Sequence, residues 1–233
     1  MNVKNNLSKI LYYIKRYGLF YTLKKVFRRI FHIKEKKKSI DEQYQIWLKQ
    51  NTISEEEYEE QRKFKFDFEP KISIVVPMYN TKEDFFKELV ESLQNQTYKN
   101  WELCLADGSE KQNENLKKYI KKDEKIKYKF LNDNKGISEN TNQAINMATG
   151  EFIAFLDHDD LLPTESLYEI VKIINENRDV DFIYTDEDKI DEFGNRFDPY
   201  FKPDYSPETL ECNNYITHFV VVKKSLLDEV RNA

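Results

Sequence analysis

From residue 72 onward, short apolar runs alternate with amphipathic stretches. "ISIVVPM" (72–78), "WELCLAD" (101–107), "IKYKFL" (126–131), "FIAFL" (152–156) and "DFIYTD" (181–186) have strand length and are rich in β-branched and aromatic residues. Between them, helical periodicity predicts helices over 84–96, 113–122, 138–147 and 164–177. Strict alternation of this kind calls for an α/β fold, a mostly parallel sheet with helices on both faces. After residue 186 the pattern changes. The Gly-Asn pair in "DEFGNRFD" predicts a hairpin turn, and 215–222 reads as a further apolar strand. Upstream, 40–66 reads as two helices, the second opening at Ser54 with Glu57 three residues on, a capping box. The chain then divides into an arm (1–38), a helical lead-in (39–69) and an α/β domain (70–233).

The arm has its own pattern. Leu23, Val26, Phe27, Ile30 and Phe31 recur on one helical face, with Lys24, Lys25, Arg28 and Arg29 on the other. Residues 1–38 carry 12 Lys/Arg against the single acid Glu35, a balance of +11, while the rest carries 25 against 41, or −16. A basic amphipathic helix of this kind lies on an anionic membrane surface, or packs its stripe on the protein body or a second copy of the chain. Nucleic acid is excluded as a partner: no reading module is present and the acidic body opposes it. No uncharged core of a secretory signal and no apolar run of spanning length occurs. Cys104 and Cys212 lack metal-like spacing and suit a reducing compartment. The expected location is cytoplasmic, peripheral at the inner face of the cell membrane.

In an open parallel sheet, ligands bind at the carboxyl ends of the strands. The first predicted strand ends in Pro77, Met78, Tyr79 and Asn80, the second in Asp107, Gly108 and Ser109. The fourth ends in Asp157, His158, Asp159 and Asp160, the fifth in Asp186, Glu187 and Asp188. Asx residues at a single strand end are ordinary helix and turn caps; four strands in a row are not explained that way. Clustered carboxylates stay ionised when a cation neutralises them. Oxygen ligands of this kind select Mg²⁺ or Mn²⁺, which use one or two carboxylates and substrate phosphate oxygens. Asp157 and Asp159 are the expected metal ligands, with the intervening His158 pointing away. His218, inside the apolar "NYITHFVVV", is read as a core or wall residue, or as one facing an acceptor. Cys104, Trp47 and Trp101 are read as packing residues.

The ordered set "IVVPMYN", "LADGS" and "NKGISENTNQAINMATGEFIAFLDHDD" resembles the family-two glycosyltransferases with a GT-A, Rossmann-like fold. More narrowly, "LDHDDLLP", "YTDEDKID" and "FDPYFKPDYSPETL" resemble bacterial transferases that build O-antigen, capsule or rhamnose-containing polysaccharides. The resemblance implies an inverting transfer of sugar from a UDP- or dTDP-sugar to a glycan or lipid-linked acceptor. It implies that Asp107 hydrogen-bonds the base and that Pro77, Tyr79 and Asn80 line the base and ribose site. Asn134, Lys135 and Gly136 fall beside the nucleotide, and Asn142 on the helix behind it. Asp157 and Asp159 match the D-x-D signature, the first near ribose and metal, the second on the metal.

The same resemblance puts the catalytic base beyond "KKSLLDEV", in an acidic motif after a Gly-rich stretch that nothing here matches. Asp186, Glu187 and Asp188 are the remaining base candidates, and the expectation is donor binding with slow or absent transfer. Two other readings stand beside it. One is a non-catalytic nucleotide-sugar-binding relative acting as partner or regulator. The other, a nucleotidyltransferase, needs a Gly/Arg/Lys-rich loop where this chain has "YNTKEDF".

Overall fold

The computed structural model describes residues 14–16, 18–20, 22–23, 27, 39–121 and 123–232. Most of the basic arm expected over 1–38 lies outside them, and so do most residues of its amphipathic stripe. Of those described, Leu19, Phe20, Leu23 and Phe27 are exposed. The chain separates into two compact units, Met1–Ile46 and Trp47–Ala233. No helix among the described residues is long and apolar enough to cross a membrane.

Two helices lead in: α1 (Ile40–Asn51) and α2 (Glu55–Lys63). The expected capping box opens α2. The Ser54 hydroxyl accepts from the Glu57 N–H at 3.3 Å, and the Glu57 carboxylate accepts from the Ser54 N–H at 2.7 Å. The sheet strands are β1 (Ile72–Met78), β2 (Trp101–Asp107), β3 (Ile126–Phe130), β4 (Phe152–Phe155) and β5 (Phe182–Tyr184). A hairpin of β6 (Glu187–Ile190) and β7 (Arg196–Tyr200) follows, turning at Gly194 as the sequence predicts, and then β8 (Val220–Lys223). The remaining helices are α3 (Glu83–Gln94), α4 (Lys117–Ile120), α5 (Ile137–Ile145), α6 (Ser166–Glu176), α7 (Pro207–Cys212) and α8 (Lys224–Asn232).

The main sheet runs β3-β2-β1-β4-β8-β5. β1 to β4 are mutually parallel; β8 enters antiparallel between β4 and β5. Alternation along β1 explains the layers. Ile72, Ile74, Val76 and Met78 join Phe86, Leu89 and Leu93 of α3 and Leu167, Ile170 and Ile174 of α6 in one core. Val75, on the other face, joins Cys104, Ala144, Ile145 and Ile153, with Leu227 packed against them. Both faces are covered, so the strands read as continuous apolar runs. Cys104 and Trp101 are buried as expected.

Two expectations need correction. The helix predicted over 113–122 is only a 3₁₀ turn (Glu114–Leu116) and the single turn of α4. The strand predicted over 215–222 begins at Val220, because Thr217 takes a left-handed φ of +38° that a ladder cannot accommodate.

Beneath the amino ends of the strands, Glu102 is 4% exposed and fully partnered. Its carboxylate accepts from Ser73 Oγ at 2.7 Å, from the Thr149 N–H at 2.6 Å, and pairs with Lys127 Nζ at 2.8 Å. Burial works to raise this carboxyl, but Lys127, Ser73 and Thr149 together draw it down to about 2.

Candidate nucleotide and metal site

The four parallel strands and β5 end at one edge of the sheet, and the antiparallel β8 begins there, Val220 lying opposite Phe155 and Tyr184. Two adjoining clefts open along this edge. One, of about 280 Å³, is lined by Tyr79, Ser109, Phe130 and Asn134 among others. The second, of about 390 Å³, is lined by Pro77, Tyr79, Asn134, Gly136, Asn140, Asp157 and Asp159 among others. Tyr79 and Asn134 belong to both and join them.

Asp107 ends β2 beneath the first cleft and is 1% exposed. One carboxylate oxygen accepts from the Ser109 N–H at 3.0 Å and from the Ser109 hydroxyl; the other accepts from the Tyr128 hydroxyl at 2.7 Å. Burial and the bond to Asp107 both raise the Tyr128 phenol, which keeps it a donor. Ser109 Oγ in turn accepts from the Asn80 N–H at 2.7 Å, holding Asn80 at a left-handed φ of +50° two residues after β1. Asp107 thus shapes the turns that present Tyr79 and Ser109, and it does not itself line the cleft.

Asn134 and Asn140 form the floor of the second cleft. Asn134 Oδ1 accepts from the Gly136 N–H and from Asn140 Nδ2, each at 3.0 Å. Gly136 precedes α5 at φ +90°, which a side chain would strain. Gly108 lets Asn140 approach: a Cβ there would lie 2.4 Å from Asn140 Nδ2. Asn140 is 3% exposed and its Oδ1 has no protein partner, so a buried acceptor lines the cleft ready for a donor group. Sequence reading missed it, because a mid-helix Asn carries no signal of what it faces. Lys135 is exposed between them and is not among the cleft-lining residues.

The acidic cluster follows β4. Asp157, Asp160 and His218 each bring one ligand atom within 4.8 Å of the others, a grouping of three that could hold a metal ion. His218 Nδ1 lies 3.2 Å from Asp160 Oδ2 and 3.5 Å from Asp157 Oδ2. Adjacent ligands of an octahedral ion with bonds near 2.1 Å are about 3 Å apart, close to both His218 distances, so His218 can share such an ion with either carboxylate. Burial is the largest influence raising the Asp160 carboxyl; His218 opposes it, and Asp157, Asp159 and Glu187 add to it.

His218 is not a core residue. Its side chain is 48% exposed, and β8 starts two residues after it. Asp159 is 55% exposed on the cleft wall and stands outside the group of three. His158, expected to point away, also lines the second cleft, with Nδ1 buried, lacking a hydrogen-bond partner and 4.0 Å from Asp159 Oδ1.

The three base candidates have different surroundings. Glu187 pairs with Lys202 at 2.9 Å and Asp188 with Arg196 at 2.6 Å. Asp186 is exposed, and its Oδ1 accepts from the Lys202 N–H at 2.7 Å. Burial works to raise the Glu187 carboxyl, but Lys202, Thr217 and the His218 N–H hold it below the usual carboxylate range.

The chain is similar to several known proteins. Uncharacterized protein y4gI of Sinorhizobium fredii is 43% identical over 164 residues, covering 69% of this chain and 18% of its own length. The O-antigen biosynthesis protein RfbC of Myxococcus xanthus is 30% identical over 164 residues, covering 69% of this chain and 13% of its own length. The chain therefore spans less than a fifth of either relative. The crystal structure of S. aureus TarS 1-349 is similar with a TM-score of 0.56 at 25% identity, over 69% of this chain and 49% of that one. The mostly parallel sheet wrapped by helices is the GT-A fold. Residues 73–231 match the model of the family described as "Glycosyl transferase family 2", and the chain belongs to that family.

Proposed function

We propose that this chain takes part in a metal-dependent, inverting transfer of a sugar from a UDP- or dTDP-activated donor to a cell-surface polysaccharide or lipid-linked glycan. The observation that carries the reading is the meeting of Asp157, Asp160 and His218 beside a cleft at the carboxyl edge of a parallel sheet. Base and ribose would lie along Pro77, Tyr79, Asn80 and Ser109, with Asp107 beneath holding the turns that present Tyr79 and Ser109. Asn134, Lys135 and Gly136 would flank the nucleotide. The first N–H groups of α5, which have no partner within a helix, suit the negatively charged diphosphate.

Asp157, Asp160 and His218 would hold Mg²⁺ or Mn²⁺ from the protein side, with Asp159 on the cleft wall as a further carboxylate toward the donor. A divalent ion there supplies counter-charge for the departing nucleoside diphosphate. Proton removal from the acceptor hydroxyl needs a carboxylate that is not already paired. Of the three candidates, Asp186 is the one this reading retains, since Glu187 and Asp188 are paired with Lys202 and Arg196. The relation to an O-antigen biosynthesis protein supports a polysaccharide acceptor.

Calorimetric titration of the chain with UDP and dTDP, in Mn²⁺ and again in EDTA, tests the proposal. Metal-stimulated binding is expected, and a labelled donor panel then identifies the sugar. Negligible binding of both nucleotides in either condition overturns the reading.

The basic arm would hold the protein at an anionic leaflet, where lipid-linked acceptors are presented. Removing residues 1–38 is expected to abolish sedimentation with anionic liposomes while leaving nucleotide affinity unchanged. Equal sedimentation of the full and shortened chains would assign the arm to protein packing instead.

A further inference from the structure

Lys202 lies just after β7, in "FKPDYSP", and its side chain is 1% exposed. A lysine is buried this deeply only when its charge and donors are satisfied. Here Nζ donates to the Ile216 carbonyl at 2.6 Å and to the His218 carbonyl, and it pairs with Glu187 Oε2 at 2.9 Å. The same Glu187 oxygen accepts from the Thr217 hydroxyl at 2.8 Å and from the His218 N–H at 3.3 Å. One ion pair thus grips residues 216–218 at two carbonyls, one hydroxyl and one N–H.

The gripped residue has a backbone it would not choose. Thr217 sits at φ +38°, and a β-branched residue in the left-handed region is a genuine outlier. Such a conformation persists only where its surroundings over-determine it. The next residue is His218, whose Nδ1 stands 3.2 Å and 3.5 Å from Asp160 and Asp157. An extended residue at 217 would carry the backbone, and with it the imidazole, in another direction.

We propose that the Lys202–Glu187 ion pair is a positioning device that holds the left-handed turn at Thr217 and so sets His218 against Asp157 and Asp160. Lys202 and Glu187 are positioning residues, which gives Glu187 a task other than acting as base. The inference rests on the metal-dependent reading for its purpose, and on the hydrogen bonds alone for its geometry.

The test uses the full chain, Mn²⁺ alone followed by the electron-paramagnetic-resonance signal of the free ion, and metal-free UDP as a control. Outer partners of metal ligands are typically worth about 10- to 100-fold in metal affinity, and Lys202→Met is expected to lose Mn²⁺ affinity in that range. Metal-free UDP affinity should not move, although general damage to the fold would lower it as well. Adding Thr217→Gly to Lys202→Met should recover part of the loss, because glycine populates positive φ without the clamp. In a His218→Ala background, Lys202→Met should cost nothing further.

Hydrogen exchange of the 216–218 amides reads the clamp without metal and should quicken in Lys202→Met. Should that variant not fold, Glu187→Gln takes its place with the same expectations. Wild-type Mn²⁺ affinity in Lys202→Met, with affinity lost in His218→Ala, overturns the proposal. Normal Mn²⁺ binding by His218→Ala would instead withdraw the metal role of His218. The exchange rates then decide the clamp: faster exchange upholds it, unchanged exchange overturns it.

Discussion

Asp157→Asn is expected to reduce Mn²⁺ affinity by at least about 100-fold, since even outer-shell partners of metal ligands are worth about 10- to 100-fold. The substitution keeps size and shape but removes the charge that a hard divalent ion requires. The fold should survive, because Asp157 lies past the end of β4 and outside both cores. Asp159→Asn provides the contrast. Asp159 lines the cleft but stands outside the group of three, so its loss should weaken UDP binding in the presence of Mn²⁺ more than the binding of Mn²⁺ alone. Titration of each variant with Mn²⁺, then with UDP in saturating Mn²⁺, separates the two roles. If Asp159→Asn loses Mn²⁺ and Asp157→Asn does not, the donor set is the D-x-D residue Asp159 with other partners, and the grouping with His218 is wrong.

The second large effect concerns stability. Glu102→Gln is expected to destabilise the fold by about 3 kcal/mol at neutral pH, the low end for breaking a buried ion pair. The low end applies because the Lys127 side chain is 35% exposed and can rehydrate. The pH dependence follows from the sign of the shift. A carboxyl held at about 2 in the folded protein, and near 4.5 when unfolded, binds more protons unfolded than folded between those values. Its contribution is therefore fully present above about pH 4.5 and is lost as pH falls toward about 2. Urea unfolding of wild type and Glu102→Gln at pH 7, 4.5 and 3 should give curves that converge as pH falls. A stability difference constant with pH would mean that packing, and not the charge, makes Glu102 matter.

The sequence by itself determined the four parallel strands β1 to β4. The limits of β1 and β2 coincide with their apolar runs, and β3 and β4 end one residue short of theirs, because burial on both faces leaves an uninterrupted apolar signal. It also placed the acidic and amide residues at the carboxyl edge, since strand direction follows from the alternation with helices. The capping box of α2 and the Gly194 turn were equally legible, being local chemistry. What it could not carry is β8. An apolar strand following a hairpin gives no local sign of where it inserts, and its antiparallel entry between β4 and β5 is decided by packing alone. That insertion delivers His218 to Asp157 and Asp160, and an ion pair between Glu187 at the start of β6 and Lys202 after β7 grips the turn at Thr217 that precedes it. The same limit hid Asn140, whose unpartnered oxygen is defined by a cleft between separate elements. Contacts between residues far apart in sequence have no period to read, so the tertiary structure alone decides which side chains share the site.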